Sequence, residues 1–252
     1  LSLADGIEVF VLAAPGRDVA HRALRASLHA SDVGEDYHWC EHPTGMKALE
    51  HWARTFERMA ESPAPQVILL EDDCLVNRHL LQNVRMWSWP DHVEFGAGWL
   101  YNPGGYCAGN DVWYSEAVPW YGTVGVLYWT ADVLTVLRGA LRWMRDQGNL
   151  HSWDCAVAWA IDRMRLKIRA HGPPIVEHQH QVASALGHRQ TWEFGSTRGT
   201  FQPDWRPVGC VREVHTREKI RPPDAKPPVR VRVPDAPWLY ETQDPPLWLP
   251  AP

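Results

Sequence analysis

Apolar and polar positions fall into regular blocks over the first 76 residues of the chain. Residues 7–13, IEVFVLA, are almost continuously apolar and end in Ala14-Pro15-Gly16-Arg17, a turn composition. An uninterrupted run, rather than an alternating one, is how a strand reads when both faces of its sheet are covered. Asp18 can cap the next helix, which runs to about Ser31 and sets Ala20, Leu24 and Leu28 on one face. Residues 37–41 predict a second strand. Thr44 then caps a helix over 45–61, in which Met46, Leu49, Ala53, Phe56, Met59 and Ala60 recur at helical spacing. Residues 66–70 make a third strand. Strand, helix, strand, helix, strand is the opening of a doubly wound sheet with helices on both faces.

The pattern continues less regularly. A short helix is predicted over 77–87, ending before Pro90, and a strand over 93–99. Residues 101–121 are rich in Gly, Asn, Pro and aromatics without a period, and read as a long loop lining a site. A strand at 122–129 leads into a helix capped by Thr130 and reaching Arg145. A turn at 148–152, a helix at 153–164 and two short strands at 166–170 and 175–178 complete the folded part. From about Gln202 apolar periodicity disappears, and more than half of the 21 prolines crowd into the last fifth of the chain. Proline cannot donate to a ladder, so 202–252 is expected to be an extended, irregular segment appended to a domain at 1–201.

At 252 residues the chain can bury one substantial core. A net charge of −5 and a pI near 6.2 give no general attraction to nucleic acid or to an anionic membrane. The five cysteines are scattered, odd in number and without CxxC spacing, which points to reduced thiols in a cytoplasmic setting and away from a zinc knuckle. No apolar run has membrane length. Fifteen tryptophans, many in loop-like sequence, combine packing with candidate stacking surfaces for rings; Trp99, Tyr101, Trp113, Tyr114 and Trp120 are the ones near the expected site.

The third strand ends abruptly in Glu71, Asp72 and Asp73. Three acids at the carboxyl end of a buried strand repel one another unless a cation sits among them, and this is the edge where open α/β sheets bind ligands. Carboxylate oxygens suit Mg²⁺ or Mn²⁺, ions that bridge phosphates. The alternative for the acids alone is a solvated loop leading into a helix.

Several segments in order carry a family resemblance: VILLEDDCLV at 67–76, the strand at 122–129 with its helix, Asp154 opening the next helix, and Pro174-Ile175-Val176-Glu177-His178 with Ser184 beyond. This order resembles the GT-A class of nucleotide-sugar glycosyltransferases, and within it the family of lipopolysaccharide and collagen galactosyltransferases. The resemblance covers roughly residues 7–188. It implies a Rossmann-like, mixed but mostly parallel sheet flanked by helices. It also implies a metal-dependent, inverting hexosyl transfer from a nucleotide sugar, a UDP-sugar first among donors, to a carbohydrate or other hydroxyl acceptor. Carried over by position, Ala13, Pro15 and Arg17 would meet the nucleotide, and Glu71, Asp72 and Asp73 would be the DxD-like motif. Asp73, Asp72 and His178 would hold Mn²⁺ or Mg²⁺, and Asp154 would be the base for the acceptor hydroxyl. His180 and His171 compete with His178, and Glu116, Asp111 and His151 with Asp154. Where the family often carries G-x-x-G-C and a Ser-His pair, this chain has His42–Lys47 (HPTGMK) and Glu50-His51.

A different class of function is a nucleic-acid-associated domain using the basic residues of 212–232 and exposed tryptophans, or a sugar transferase acting on a flipped, modified base in DNA. The acidic total charge counts against both. A nucleotidyltransferase would need a richer phosphate loop than APGR.

Overall fold

The protein's structure, a computed structural model, describes residues 6–87, 95–101, 113–115, 124–147, 153–164, 167–171, 173–179 and 201–206. Its elements are, in order, β1 (Ile7–Ala13), α1 (Asp18–His29), β2 (His38–Glu41), α2 (Ala48–Ala60), β3 (Gln66–Glu71), β4 (Cys74–Val76), α3 (Leu80–Met86), β5 (Phe95–Trp99), β6 (Trp113–Ser115), β7 (Gly125–Trp129), α4 (Thr130–Gln147), α5 (Trp153–Arg163), β8 (Lys167–Ala170) and β9 (Val176–His178). Seven strands form one sheet in the order β2-β1-β3-β7-β5-β8-β6, and β4 pairs with β9 in a separate two-stranded sheet. β1 is parallel to β2 and β3, and β8 is parallel to β5. β7 is antiparallel to both β3 and β5, and β6 is antiparallel to β8. All the large sheet's strands except β7 and β6 therefore run the same way. This is the expected mixed, mostly parallel α/β architecture, and β1, β2 and β3 are the parallel opening that the hydrophobic blocks predict.

The continuous apolar runs are explained by burial on both faces. In β3, Val67 and Leu69 pack with the residues of α2, α4 and α5. The alternate residues Ile68 and Leu70 pack with those of α1 and α3. β1 divides in the same way, with Phe10 and Leu12 on the first face and Val9 and Val11 on the second. Each such fully buried side chain contributes about 1.5–3 kcal/mol relative to exposure. Ala20, Leu24 and Leu28 are the buried face of α1, as their spacing predicts.

Several element ends differ from the sequence reading. The predicted caps Asp18 and Thr44 do not cap: the N-cap positions belong to Arg17 and Lys47, and neither makes a side-chain cap bond. α2 starts at Ala48 because Gly45 takes a positive φ of 81°, a turn conformation that interrupts the helical path. Thr130 is the first residue of α4, and its hydroxyl donates to the Ala64 carbonyl across the connection into β3. Within 101–121, read as loop throughout, Trp113–Ser115 pairs with β8 as the last strand of the sheet. A second unanticipated strand, β4, follows the acids directly.

The start of the proline-rich segment is tied to the domain. Asn77 donates its side-chain amide to the carbonyls of Gln202 and Trp205, and Asn83 donates to the Trp205 carbonyl and to Asn77 Oδ1. The Arg78 N–H donates to the Pro203 carbonyl at 2.7 Å, and Trp205 packs edge-on against His171. The boundary expected between 201 and 202 thus falls inside a short stretch, 201–206, that is clasped onto the start of α3. Residues 207–252 lie outside the described residues, and with them the expectation of an irregular tail.

Asn77→Ala removes two of the bonds in this clasp and the acceptor of the His79 N–H and of the Asn83 amide. The expected loss is roughly 2–3 kcal/mol of unfolding free energy at near-constant m-value, read by urea titration.

Candidate active site at the carboxyl edge of the central strand

β3 delivers its acids to the edge where β1 gives way to α1. The chain turns at Asp72 and Asp73 before pairing as β4. Both aspartates are buried, at 2% and 3% exposure. A buried carboxylate is tolerated only with partners, and the β1–α1 turn supplies them. Asp72 Oδ2 accepts the Ala14 N–H at 2.6 Å and lies 2.7 Å from His21 Nε2. Arg17 Nη1 donates to Asp72 Oδ1 at 2.7 Å and to Asp73 Oδ2 at 2.8 Å. Gly16, at φ 77°, allows the chain to reverse between Pro15 and Arg17. His21, one turn after Arg17, was not singled out from sequence. The signal available was helical spacing, since i and i+4 share a face.

His178 comes to the same place by a different route. β9 runs antiparallel to β4 with Cys74 opposite His178. The Gln179 N–H donates to the Asp73 carbonyl at 2.6 Å, and the Gln179 side chain donates to the Cys74 carbonyl at 2.8 Å. Behind β9, Ile175 and Val176 donate backbone N–H groups to Leu100. Val176 lies so close to β7 that a Cβ on Gly125 would meet its side chain at 2.9 Å, so only glycine fits there. The result places His178 Nε2 3.3 Å from Asp73 Oδ2.

Charge follows from this packing. Burial pushes the Asp73 carboxyl up, but the hydrogen bond and charge of His178 and the Arg17 guanidinium outweigh it and hold it below its ordinary value of 3.8. Burial pulls His178 down, and Asp73 with Glu71 outweighs that and raises it above 6.5. Burial likewise opposes the Arg17 charge, and Asp73, Asp72 and Glu71 together raise it. Tyr101, with its ring 6.4 Å from that of His178, is held well above its ordinary value of 10 by burial and by Glu177, Glu71 and Asp73. The Cys74 thiol is pushed well up by burial and the three acids, so it stays protonated and unreactive.

Of the residues expected to meet a nucleotide, Ala13, Pro15, Arg17, Glu71 and Asp72 all lie at this edge. Ala13 ends β1 and accepts the His42 N–H, Pro15 is exposed in the turn, and Glu71 ends β3 with its N–H on the Val124 carbonyl. Of the three expected metal ligands, Asp73 and His178 are side by side, whereas both oxygens of Asp72 are engaged by Ala14, Arg17 and His21. Asp73 Oδ1 is buried and has no hydrogen-bond partner among the described residues. Among those residues no group of three or more His, Cys, Asp or Glu side chains is arranged to hold a metal ion. His171 is buried, with Nδ1 2.6 Å from the Pro173 carbonyl oxygen and its ring against Trp87 and Trp205.

His51, close enough to Asp72 for their charges to interact, is held below its ordinary value mainly by burial and lies under His42 with ring centroids 4.8 Å apart. Trp99 is fully buried in the core, so it packs and offers no face to a sugar. Asp154 is the second residue of α5, and its side chain lies outside the described residues. The same holds for His180, Ser184, Trp120 and the alternative bases Asp111, Glu116 and His151, and for the side chains of Trp113 and Tyr114.

No protein-family model matches the chain, and no curated protein matches it. Among solved structures it is similar to a glycosyltransferase involved in the glycosylation of the major capsid of PBCV-1. That likeness has 12% identity and a TM-score of 0.42, covering 66% of this chain and 82% of that one. No helix among the described residues is long and apolar enough to cross a membrane.

The pair of shifted groups sets a pH signature. His178, raised, stabilises the fold fully below 6.5 and loses that contribution as pH rises through its folded value. Asp73, lowered, contributes fully above 3.8 and loses it as pH falls through its folded value. The stability difference between the protein and its His178→Ala variant is therefore expected to be greatest between 3.8 and 6.5 and to shrink on either side, as read by urea unfolding across pH.

Proposed function

We propose that this chain transfers a glycosyl group from a nucleotide-activated sugar to an acceptor hydroxyl, with the donor's diphosphate at the edge formed by Ala13–Arg17 and Glu71–Asp73. The observation that carries the reading is the buried Asp73 carboxylate. One of its oxygens faces Arg17 and His178, and the other is buried without a partner among the described residues. A buried carboxylate with one orphaned oxygen and an imidazole at the other suits a divalent ion. Mg²⁺ and Mn²⁺ sites that use one or two protein ligands take the remainder from substrate phosphates and water. Asp73 and His178 would hold the ion, and Asp72 would hold the turn that meets the nucleotide. Such an ion neutralises the charge that develops on the departing nucleoside diphosphate.

The rest of the work falls to the chain's own groups. The turn at Ala14–Arg17 opens α1, whose N-terminus favours an anion, and Arg17 offers a planar guanidinium to phosphate oxygens. Asp154 fits the role of base by its place in the topology. β7 runs down to the amino end of β3, where the Thr130 N–H meets the Pro65 carbonyl, so α4 climbs back toward the acids. α5 packs on α4, with Gly139 against Ala160, and leads into β8, which runs parallel to β5; this connection supports a start of α5 on the side of the acids. A carboxylate there takes the proton of the acceptor hydroxyl as the hydroxyl attacks the sugar carbon from the side opposite the leaving group, and the configuration inverts.

Screening UDP-, GDP-, CMP- and dTDP-sugars by thermal shift with and without Mn²⁺ tests the reading, since any binder of the folded state raises Tm. Metal-dependent stabilisation by a UDP-sugar, lost in Asp73→Asn, is the expected outcome; no stabilisation by any donor overturns it. Once a donor is found, Asp154→Asn should lower kcat by on the order of 10²–10⁴-fold with donor affinity nearly unchanged.

A further inference from the structure

Arg17 occupies the position that the proposed cation needs. A single nitrogen, Nη1, bonds to both aspartates, 2.7 Å from Asp72 Oδ1 and 2.8 Å from Asp73 Oδ2. We infer that Arg17 is an exchangeable counter-ion, seated on the acid pair in the donor-free protein and passed to the donor's diphosphate when a divalent ion enters. Cation and nucleotide then load together, and the protein alone holds the cation weakly. The inference rests on the reading of this edge as a nucleotide-sugar site.

The geometry favours exchange over a fixed clasp for three reasons. First, a divalent ion on Asp73 cannot share Oδ2 with a guanidinium nitrogen without strong like-charge repulsion at this burial. Second, Arg17 is not the turn's only tie to Asp72: Asp72 Oδ2 also accepts the Ala14 N–H and meets His21, so these contacts remain when the Arg17 side chain leaves. Third, the departing guanidinium has a matched destination, because its fork binds two phosphate oxygens at once. Asp73 Oδ1, buried and unpartnered among the described residues, is the atom through which the ion first gains a hold.

The test is Mn²⁺ titration of the nucleotide-free protein, read by electron paramagnetic resonance of the free ion, for wild type and Arg17→Gln. Removal of the competing charge should tighten Mn²⁺ by about tenfold or more, within the range of ordinary site coupling. Saturating UDP should tighten Mn²⁺ in the wild type and do so much less in Arg17→Gln. Equal or weaker Mn²⁺ binding by a folded Arg17→Gln overturns the inference and leaves Arg17 a structural clasp. If the glutamine variant fails to unfold cooperatively, Arg17→Lys decides. Its ammonium still screens the acids, so Mn²⁺ affinity should stay within about threefold of wild type, and a tenfold tightening overturns the inference. Failure of the nucleotide-sugar reading looks different: UDP then leaves wild-type Mn²⁺ affinity unchanged, whatever Arg17→Gln does to the ion alone.

Discussion

The site depends on the cost of burying the Asp72 carboxylate. At 2% exposure it cannot remain charged without partners, and these come from a segment more than fifty residues earlier in the chain. The Ala14 N–H, Arg17 and His21 all belong to β1, α1 or the turn between them. That one demand fixes where the turn lies, which way the first turn of α1 faces, and how far Arg17 reaches toward Asp73. Breaking a buried pair by removing one partner typically costs 3–5 kcal/mol, so these contacts are determined together.

A second constraint closes the opposite side. Asp73 is followed at once by β4, which pairs with β9, and the backbone of Gln179 returns to the Asp73 carbonyl. Gly125 lets β9 approach β7, and Leu100 receives two of its N–H groups. His178 is thereby placed by main-chain hydrogen bonds, by the Gln179 side chain on the Cys74 carbonyl and by the packing of Val176 on Gly125. Its side chain then meets Asp73, and the charges of both settle in favour of the ion pair.

These two constraints leave a site in which three carboxylates lie beside one guanidinium and two imidazoles, those of His21 and His178. On the proposed function, such a cluster would hold a free cation weakly and a cation arriving with its own anion more tightly. Electrostatics of this kind makes binding of the two reciprocal. The neighbouring Cys74 and His51 are kept neutral by burial and take no part in that balance.

Much of this was legible along the chain. The continuous runs at β1 and β3 signalled strands covered on both faces, and the spacing of Ala20, Leu24 and Leu28 marked the inner face of α1. The acids at the end of β3 marked a candidate site, because three consecutive charges follow a buried apolar run, and the fold buries Asp72 and Asp73 there with partners from β1 and α1. What the chain could not reveal was how the acids divide their partners. Asp72 and Asp73 are adjacent and chemically equal in sequence, and only the fold turns one to Ala14 and His21 and the other to His178. The short strands β4 and β6 and the clasp of 201–206 on Asn77 were equally silent. Periodicity records which face of an element is buried. The pairing of distant segments rests on backbone hydrogen bonds, which every residue but proline can donate and which leave no mark in the side-chain pattern.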